Sequence, residues 1–191
     1  MSVEKKTIAN LTLAAEFIAI RILEQLEQGK KVLWLIPGGS AQKVALLSIE
    51  TISRHPHKNL TISLTDERLG KVGHQDSNWR EWKIPEAKLI PVLGTENWLK
   101  VLEREIENNE YKIGLFGIGA NGHTAGLLPP ESVSKWQRVS ITPELIKKLD
   151  EAVLYAEGED KQFILDSFQK GMSMPAQVLK EVSKLKIFYV K

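Results

Sequence analysis

Two short runs of uninterrupted apolar residues constrain this chain more than anything else in it. "KVLWLI" (31–36) and "KIGLF" (112–116) show no alternation of apolar and polar positions, and glycine breaks each at once, as "PGGS" after the first and "GIGANGHTAG" after the second. A strand with one face in water alternates, whereas a strand apolar on both sides must be covered on both sides. Such strands belong to parallel sheets with helices packed on each face.

The segments between these runs supply the helices. Ile8, Leu11, Ala15, Ile18, Ile22 and Leu26 recur every three or four residues, which predicts an amphipathic helix that stops at Gly29. "AQKVALLSIETIS" predicts a second helix and "LTISLTDER" the next strand, with its charges gathered at the C-terminal end. Residues 69–94 are rich in turn formers, apart from a short strand expected in "AKLIPV". "ENWLKVLEREIENN" and "EDKQFILDSFQK" read as helices, and "EAVLYAEG" and "LKIFYV" as strands. "TPELIKKLD" reads as a short helix capped by Thr142, with Pro143 at its first position. Strands alternating with helices imply parallel pairing through right-handed crossovers. The expected fold class is therefore α/β, a single three-layer domain over residues 1–191 with a mostly parallel sheet flanked by helices.

Composition narrows the function. At 191 residues the chain is sized for one substantial core, and a formal charge of +2 without any long basic run argues against nucleic acid. A chain without cysteine has no disulfide, thiolate metal site or cysteine nucleophile, and is consistent with a reducing compartment. The N-terminal apolar stretch is interrupted by Glu16 and Arg21, too short to span a bilayer and too charged for a signal peptide. The expectation is a cytoplasmic protein without a membrane partner. An exposed apolar patch cannot be told from a core face at this level, so the oligomeric state stays open, with a monomer as the default.

In open parallel sheets, ligands bind beyond the carboxyl ends of the strands. "PGGS", "DER", "GIGANGHTAG" and "GEDK" all fall there. Gly38, Gly39 and Ser40 lead from a strand into a helix, where backbone N–H groups favour an anion and the glycines are expected to let it approach closely. Asp66 is a candidate for proton transfer or for orienting a base, and Arg68 for substrate charge or hydroxyls. Arg138 and Lys161 also fall beside sheet ends and are candidates for one shared phosphate. No spacing of the four histidines suits a metal, and no G-x-S-x-G elbow is present. His123 is then the candidate acid–base residue, with the glycines around it expected to let backbone approach a ligand.

These stretches, in this order, resemble the 6-phosphogluconolactonase and glucosamine-6-phosphate isomerase superfamily, whose domain is Rossmann-like. "LIPGGSAQKV" is similar to its phosphate loop, and "LTDERLGKVGHQDSN" to the lactonase pattern of D-E-R followed by S-N. "GIGANGHTAGLLP" resembles the signature G-x-G-x-[DN]-G-H-T-A-S-L-F-P. "QRVSITPELI" and "AEGEDKQFIL" resemble the R-I-T-L-T and G-x-x-K segments. The resemblance implies hydrolysis of 6-phosphoglucono-δ-lactone without metal or organic cofactor. Ser40, Arg138 and Lys161 would hold the phosphate and His123 would be the general base, with oxyanion donors from backbone around Asn121 and Gly122 or from a nearby cation. The sister isomerase and deaminase activity carries G-H-I-A-F-N-E-P, whose glutamate position is Leu128 here, while its D-E-Y is D-E-R here. Ala41 stands where the phosphate loop usually has threonine, Gly126 where the signature has serine, and Asn121 where aspartate is commoner; the segments after "DSN" and "LLPP" are short for the family. These departures keep a third reading in play, a weakly active or inactive sugar-phosphate binder.

Overall fold

A computed structural model of the chain describes residues 2–80 and 82–191; the ends of the expectations that fall on Met1 and Glu81 lie outside the described residues. Nine strands form: β1 (Ser2–Ile8), β2 (Val32–Ile36), β3 (Leu60–Leu64), β4 (Asp66–Arg68), β5 (Lys88–Ile90), β6 (Tyr111–Gly117), β7 (Arg138–Ser140), β8 (Glu151–Glu157) and β9 (Lys184–Val190). The α-helices are α1 (Thr12–Glu27), α2 (Gln42–Ile52), α3 (Trp98–Asn108), α4 (Pro143–Lys147) and α5 (Asp160–Gln169), and a 3-10 segment covers Pro175–Glu181.

Seven strands build one sheet in the order β1-β9-β8-β6-β2-β3-β5, and every pairing in it is parallel. The expected α/β architecture is thus the observed one. All five residues of β2 and four consecutive residues of β6, Ile113–Phe116, are buried, as strands covered on both faces must be. Helices α1 and α2 pack on each other. Right-handed crossovers put that pair on one face and α3, α4 and α5 on the other, because the chain reverses direction across the sheet after β5. The reversal makes β2 and β6 neighbours whose following loops diverge, and a crevice opens between them at their C-terminal ends.

Two features depart from the sequence reading. Ile8 is the last residue of the edge strand β1, not the first turn of a helix, and its 5% exposure comes from sheet packing. Lysines at positions 5 and 6 mask the strand, as charges on an edge commonly do. The helix begins beyond Asn10, whose side chain accepts a hydrogen bond from the Thr12 N–H at 3.0 Å. Second, "LTISLTDER" is two strands. Thr65 donates its N–H to Ile36 O in the large sheet and accepts from Ile141 N, so the chain changes sheets at that residue. Asp66–Arg68 then pairs antiparallel with Arg138–Ser140, 72 residues away at its closest ion pair. Thr142 caps α4 as expected, accepting from Leu145 N.

Candidate active site

The crevice holds a cavity of about 200 Å³. Gly38, Gly39, Ser40, Asp66, Arg68, His123, Arg138 and Lys161 all line it, together with Ala41 and Asn78. Asn121 and Gly122 are not part of its lining and belong to the turn that carries His123.

The anion-binding character of the floor comes from the loop that leads into α2. Gly39 turns the chain with φ +67°, and the helix starts without any side-chain cap because its N-cap residue is Ala41. The amides of Gln42, Lys43 and Val44 are spent on Gly39 O, Ser40 O and Ala41 O, so the N–H groups left to an anion are those of Gly39, Ser40 and Ala41, which have no main-chain acceptor among the described residues. Ala41 is 1% exposed, and its methyl group sits where the familial threonine would bring a hydroxyl.

One wall is the β4–β7 ribbon. Side chains two apart on a strand share a face, so Asp66 and Arg68 look the same way, as do Arg138 and Ser140. Arg68 and Arg138 are direct register partners. Like charges opposite each other in a ladder are unfavourable unless something negative compensates them. Asp66, 3% exposed, does so in part: its Oδ2 accepts from Arg138 at 2.7 Å. Burial pushes the Asp66 carboxyl up from its ordinary value, while the bond and charge of Arg138 oppose that and adjacent Glu67 adds to it. Arg68 is held by the Asp76 carbonyl, which contributes no charge. The Nε groups of both arginines are buried without a hydrogen-bond partner among the described residues. Lys161, whose neighbouring carboxylate is its own sequence neighbour Asp160 at 3.3 Å, adds a third cation to the cavity. The lining is therefore cationic on balance, a site for an anion.

His123 faces these cations. Its Nδ1 lies 2.6 Å from Asn121 Oδ1, and the same oxygen accepts from the His123 main-chain N–H at 3.3 Å. A main-chain N–H can only donate, so the Asn121 oxygen is the atom facing the ring, and Nδ1 must carry the proton. Nε2 is left as the acceptor. Burial lowers the imidazole pKa from its ordinary 6.5, and the charges of Arg138 and Lys161 lower it further. The neutral ring is the resting form near neutral pH.

Two of the glycines on the cavity also accommodate side chains of the site. A Cβ at Gly119 would lie 2.0 Å from His123 Nδ1 and Cε1, and one at Gly38 would lie 2.1 Å from Asn78 Oδ1. Each glycine makes room for a neighbouring side chain of the site. Gly122 has φ +78° and spends its N–H on Gly119 O, so that amide is not available to an oxyanion. At Gly126 a Cβ would meet Ser140 Cβ at 2.7 Å, and the Ser140 hydroxyl instead accepts from the Gly126 N–H at 3.0 Å.

Sequence reasoning overlooked the clamp beneath this wall. Glu67, fully buried, accepts from Arg68 N and Asn78 N at 2.7 Å, Ser77 Oγ at 2.6 Å and Trp79 N at 3.0 Å. Gln42 of α2 donates to Asn78 O at 2.6 Å. The "DSN" spacing after "DER" was the available signal. What it could not show is that a carboxylate between two candidate residues is consumed by main-chain bonds. Among the described residues no group of three His, Cys, Asp or Glu side chains could hold a metal ion, and no helix is long and apolar enough to cross a membrane.

A doubly covered parallel sheet with a cationic pocket and a neutral histidine at its switch point defines an α/β protein with an anion-binding crevice. Residues 6–187 match the family described as glucosamine-6-phosphate isomerases/6-phosphogluconolactonase, and the chain belongs to it. No curated protein sequence gives a significant match. Among solved structures, the 6-phosphogluconolactonase of Thermotoga maritima is similar with a TM-score of 0.82 at 20% identity, each chain covered completely. That of Trypanosoma brucei gives 0.74 at 17% identity, covering 100% of this chain and 97% of the other. A monomeric glucosamine-6-phosphate deaminase gives 0.78 at 15% identity, with 98% and 97% covered. At these identities the likeness establishes the fold.

Proposed function

We propose that this chain is a cytoplasmic 6-phosphogluconolactonase, a single domain that hydrolyses 6-phosphoglucono-δ-lactone to 6-phosphogluconate in the oxidative pentose phosphate pathway, with His123 as general base and no metal. The observation that carries the reading is a neutral imidazole with its Nε2 acceptor free on the same cavity as Arg68, Arg138 and Lys161. Ser40, the amides of Gly39, Ser40 and Ala41 ahead of α2, Arg138 and Lys161 hold the phosphate. Binding energy from that end positions the lactone ring for reaction at the other. Nε2 takes a proton from water as its oxygen attacks the lactone carbonyl carbon. With the Gly122 amide spent, Arg68 serves as a donor for the developing oxyanion. Collapse breaks the bond to the ring oxygen, which takes the proton back from the imidazolium, and the chain opens to the hydroxy acid.

Leu128 supports this reading over deamination, because it offers no carboxylate where the deaminase signature has glutamate. The test is the initial rate of acid release from freshly generated lactone, for the wild type and His123→Ala, against spontaneous hydrolysis. A wild-type rate well above background that collapses in the variant is expected. A rate equal to background with 6-phosphogluconate still bound would identify a binder, and ammonia release from glucosamine 6-phosphate would identify a deaminase.

A further inference from the structure

Asn78 is tied to the protein through both its main chain and its side chain. It is 3% exposed. Its N–H donates to buried Glu67, its carbonyl accepts from buried Gln42, and its side-chain Nδ2 donates to the Asp66 carbonyl at 3.0 Å. A main-chain carbonyl only accepts, so that last bond fixes which end of the amide is nitrogen. The amide lies against Gly38, whose missing side chain leaves it the space. Three of its four polar groups are therefore spent on the protein, and Oδ1 accepts no hydrogen bond among the described residues.

The rest of the lining is rich in donors. Arg68, Arg138, Lys161 and the loop amides ahead of α2 can only donate, and the Asp66 carboxylate is engaged by Arg138 and by the Thr65 hydroxyl. Besides Ser40 and the His123 Nε2, Asn78 Oδ1 is the uncommitted side-chain acceptor on the cavity among the described residues. A phosphate and a carbonyl oxygen present only acceptors to a protein; the groups of a sugar that need an acceptor are its hydroxyls. A rigid, buried, uncommitted acceptor between the phosphate loop and Asp66 is what a site needs to tell a hydroxylated ring from any other phosphorylated ligand.

We propose that Asn78 is a specificity-determining residue whose Oδ1 accepts a hydrogen bond from one ring or chain hydroxyl of the sugar phosphate. This rests on the sugar-phosphate reading above. Removing either partner leaves the other unpaired in a buried site, which weakens binding by about tenfold.

The experiment measures binding by calorimetry of inorganic phosphate, 6-phosphogluconate and its 2-, 3- and 4-deoxy analogues, to the wild type and to Asn78→Ala. On the wild type, one deoxy analogue is expected to bind about tenfold more weakly than the parent. On Asn78→Ala, that analogue and the parent are expected to bind alike, with inorganic phosphate unaffected. Wild-type affinities equal across parent and analogues would overturn the role of Asn78, and need no variant to fold. So would an Asn78→Ala protein that loses the same factor for every ligand, phosphate included, since that marks a residue acting only through the loop. If 6-phosphogluconate binds the wild type no better than inorganic phosphate, the sugar-phosphate reading itself falls, and the inference with it.

Discussion

The imidazole of His123 occupies the space that a side chain at Gly119 would need: a Cβ there would lie 2.0 Å from two ring atoms. Gly119 does not have a positive φ, so alanine at this position meets no backbone strain. The conflict is with the ring alone. Gly119→Ala should therefore fold normally and push the imidazole off Asn121 Oδ1. Misplacing a catalytic group by about 1 Å costs on the order of 100-fold in rate. Lactonase initial rates should show a loss of that size in kcat, with the affinity for 6-phosphogluconate and the melting temperature nearly unchanged. Full activity in Gly119→Ala would mean that the ring position observed is not the working one.

The pH dependence follows from the same ring. Burial, then Arg138, then Lys161, lower the His123 pKa below 6.5. A base works when deprotonated, so the acidic limb of kcat/KM should lie below pH 6.5, and activity should be flat from there through neutrality. Arg138→Ala removes one of the smaller causes and leaves burial in place, so the limb should move upward without reaching 6.5. The stability sign is separate. The unfolded chain binds the His123 proton more tightly than the folded one, so folding loses stability as pH falls from about 6.5 through the lowered folded value. His123→Gln should remove that loss from urea melts at acid pH. A limb above 6.5 would place another group in control of the rate.

How much of this was readable beforehand divides along a physical line. The interior strands were legible because burial on both faces leaves nothing but apolar residues, as in Val32–Ile36 and Ile113–Phe116. The cluster of candidate residues was legible because strand ends in such a sheet converge by topology. Strand β1 was hidden by its edge lysines, and β7 by its length, since Arg138–Ser140 is a strand only through its distant partner Asp66–Arg68. The glycines were visible, but their reason was not. Whether a missing Cβ serves a ligand or a neighbouring side chain depends on what lies opposite, and Asn78 is 40 residues from Gly38 in the chain.

Arg138 and Lys161 should separate binding from stability. Both line the cavity, but only Arg138 pairs with a buried carboxylate. Lys161, bonded to exposed Asp160, can be lost without burying an unpaired charge. Each alanine variant should weaken 6-phosphogluconate binding by tenfold or more, roughly the worth of a charge-assisted hydrogen bond. Arg138→Ala should also cost about 3 kcal/mol in urea unfolding, because Asp66 is left uncompensated. Lys161→Ala should cost almost nothing. Calorimetry and denaturation on the two variants test this, and equal stability losses would show that the Asp66 ion pair does not matter to the fold.

Glu67 should be the most sensitive position of the site that never touches a ligand. Its two oxygens serve Arg68 N, Asn78 N, Ser77 Oγ and Trp79 N, all brought to a carboxylate that is fully buried. Glu67→Ala leaves those donors without an acceptor, and a loss of about 3 kcal/mol is expected. Glu67→Gln should be milder, for a reason specific to this geometry. An amide nitrogen at the Oε2 position can donate to the Ser77 hydroxyl, which is able to turn and accept. Trp79 N already has Ser77 Oγ at 3.1 Å as a second acceptor. The Oε1 position keeps an oxygen for Arg68 N and Asn78 N, so a loss of about 1 kcal/mol is expected. Urea unfolding of both variants checks the order. A Gln variant as damaged as the Ala variant would show that the negative charge, more than the four hydrogen bonds, holds residues 77–79 over the cavity.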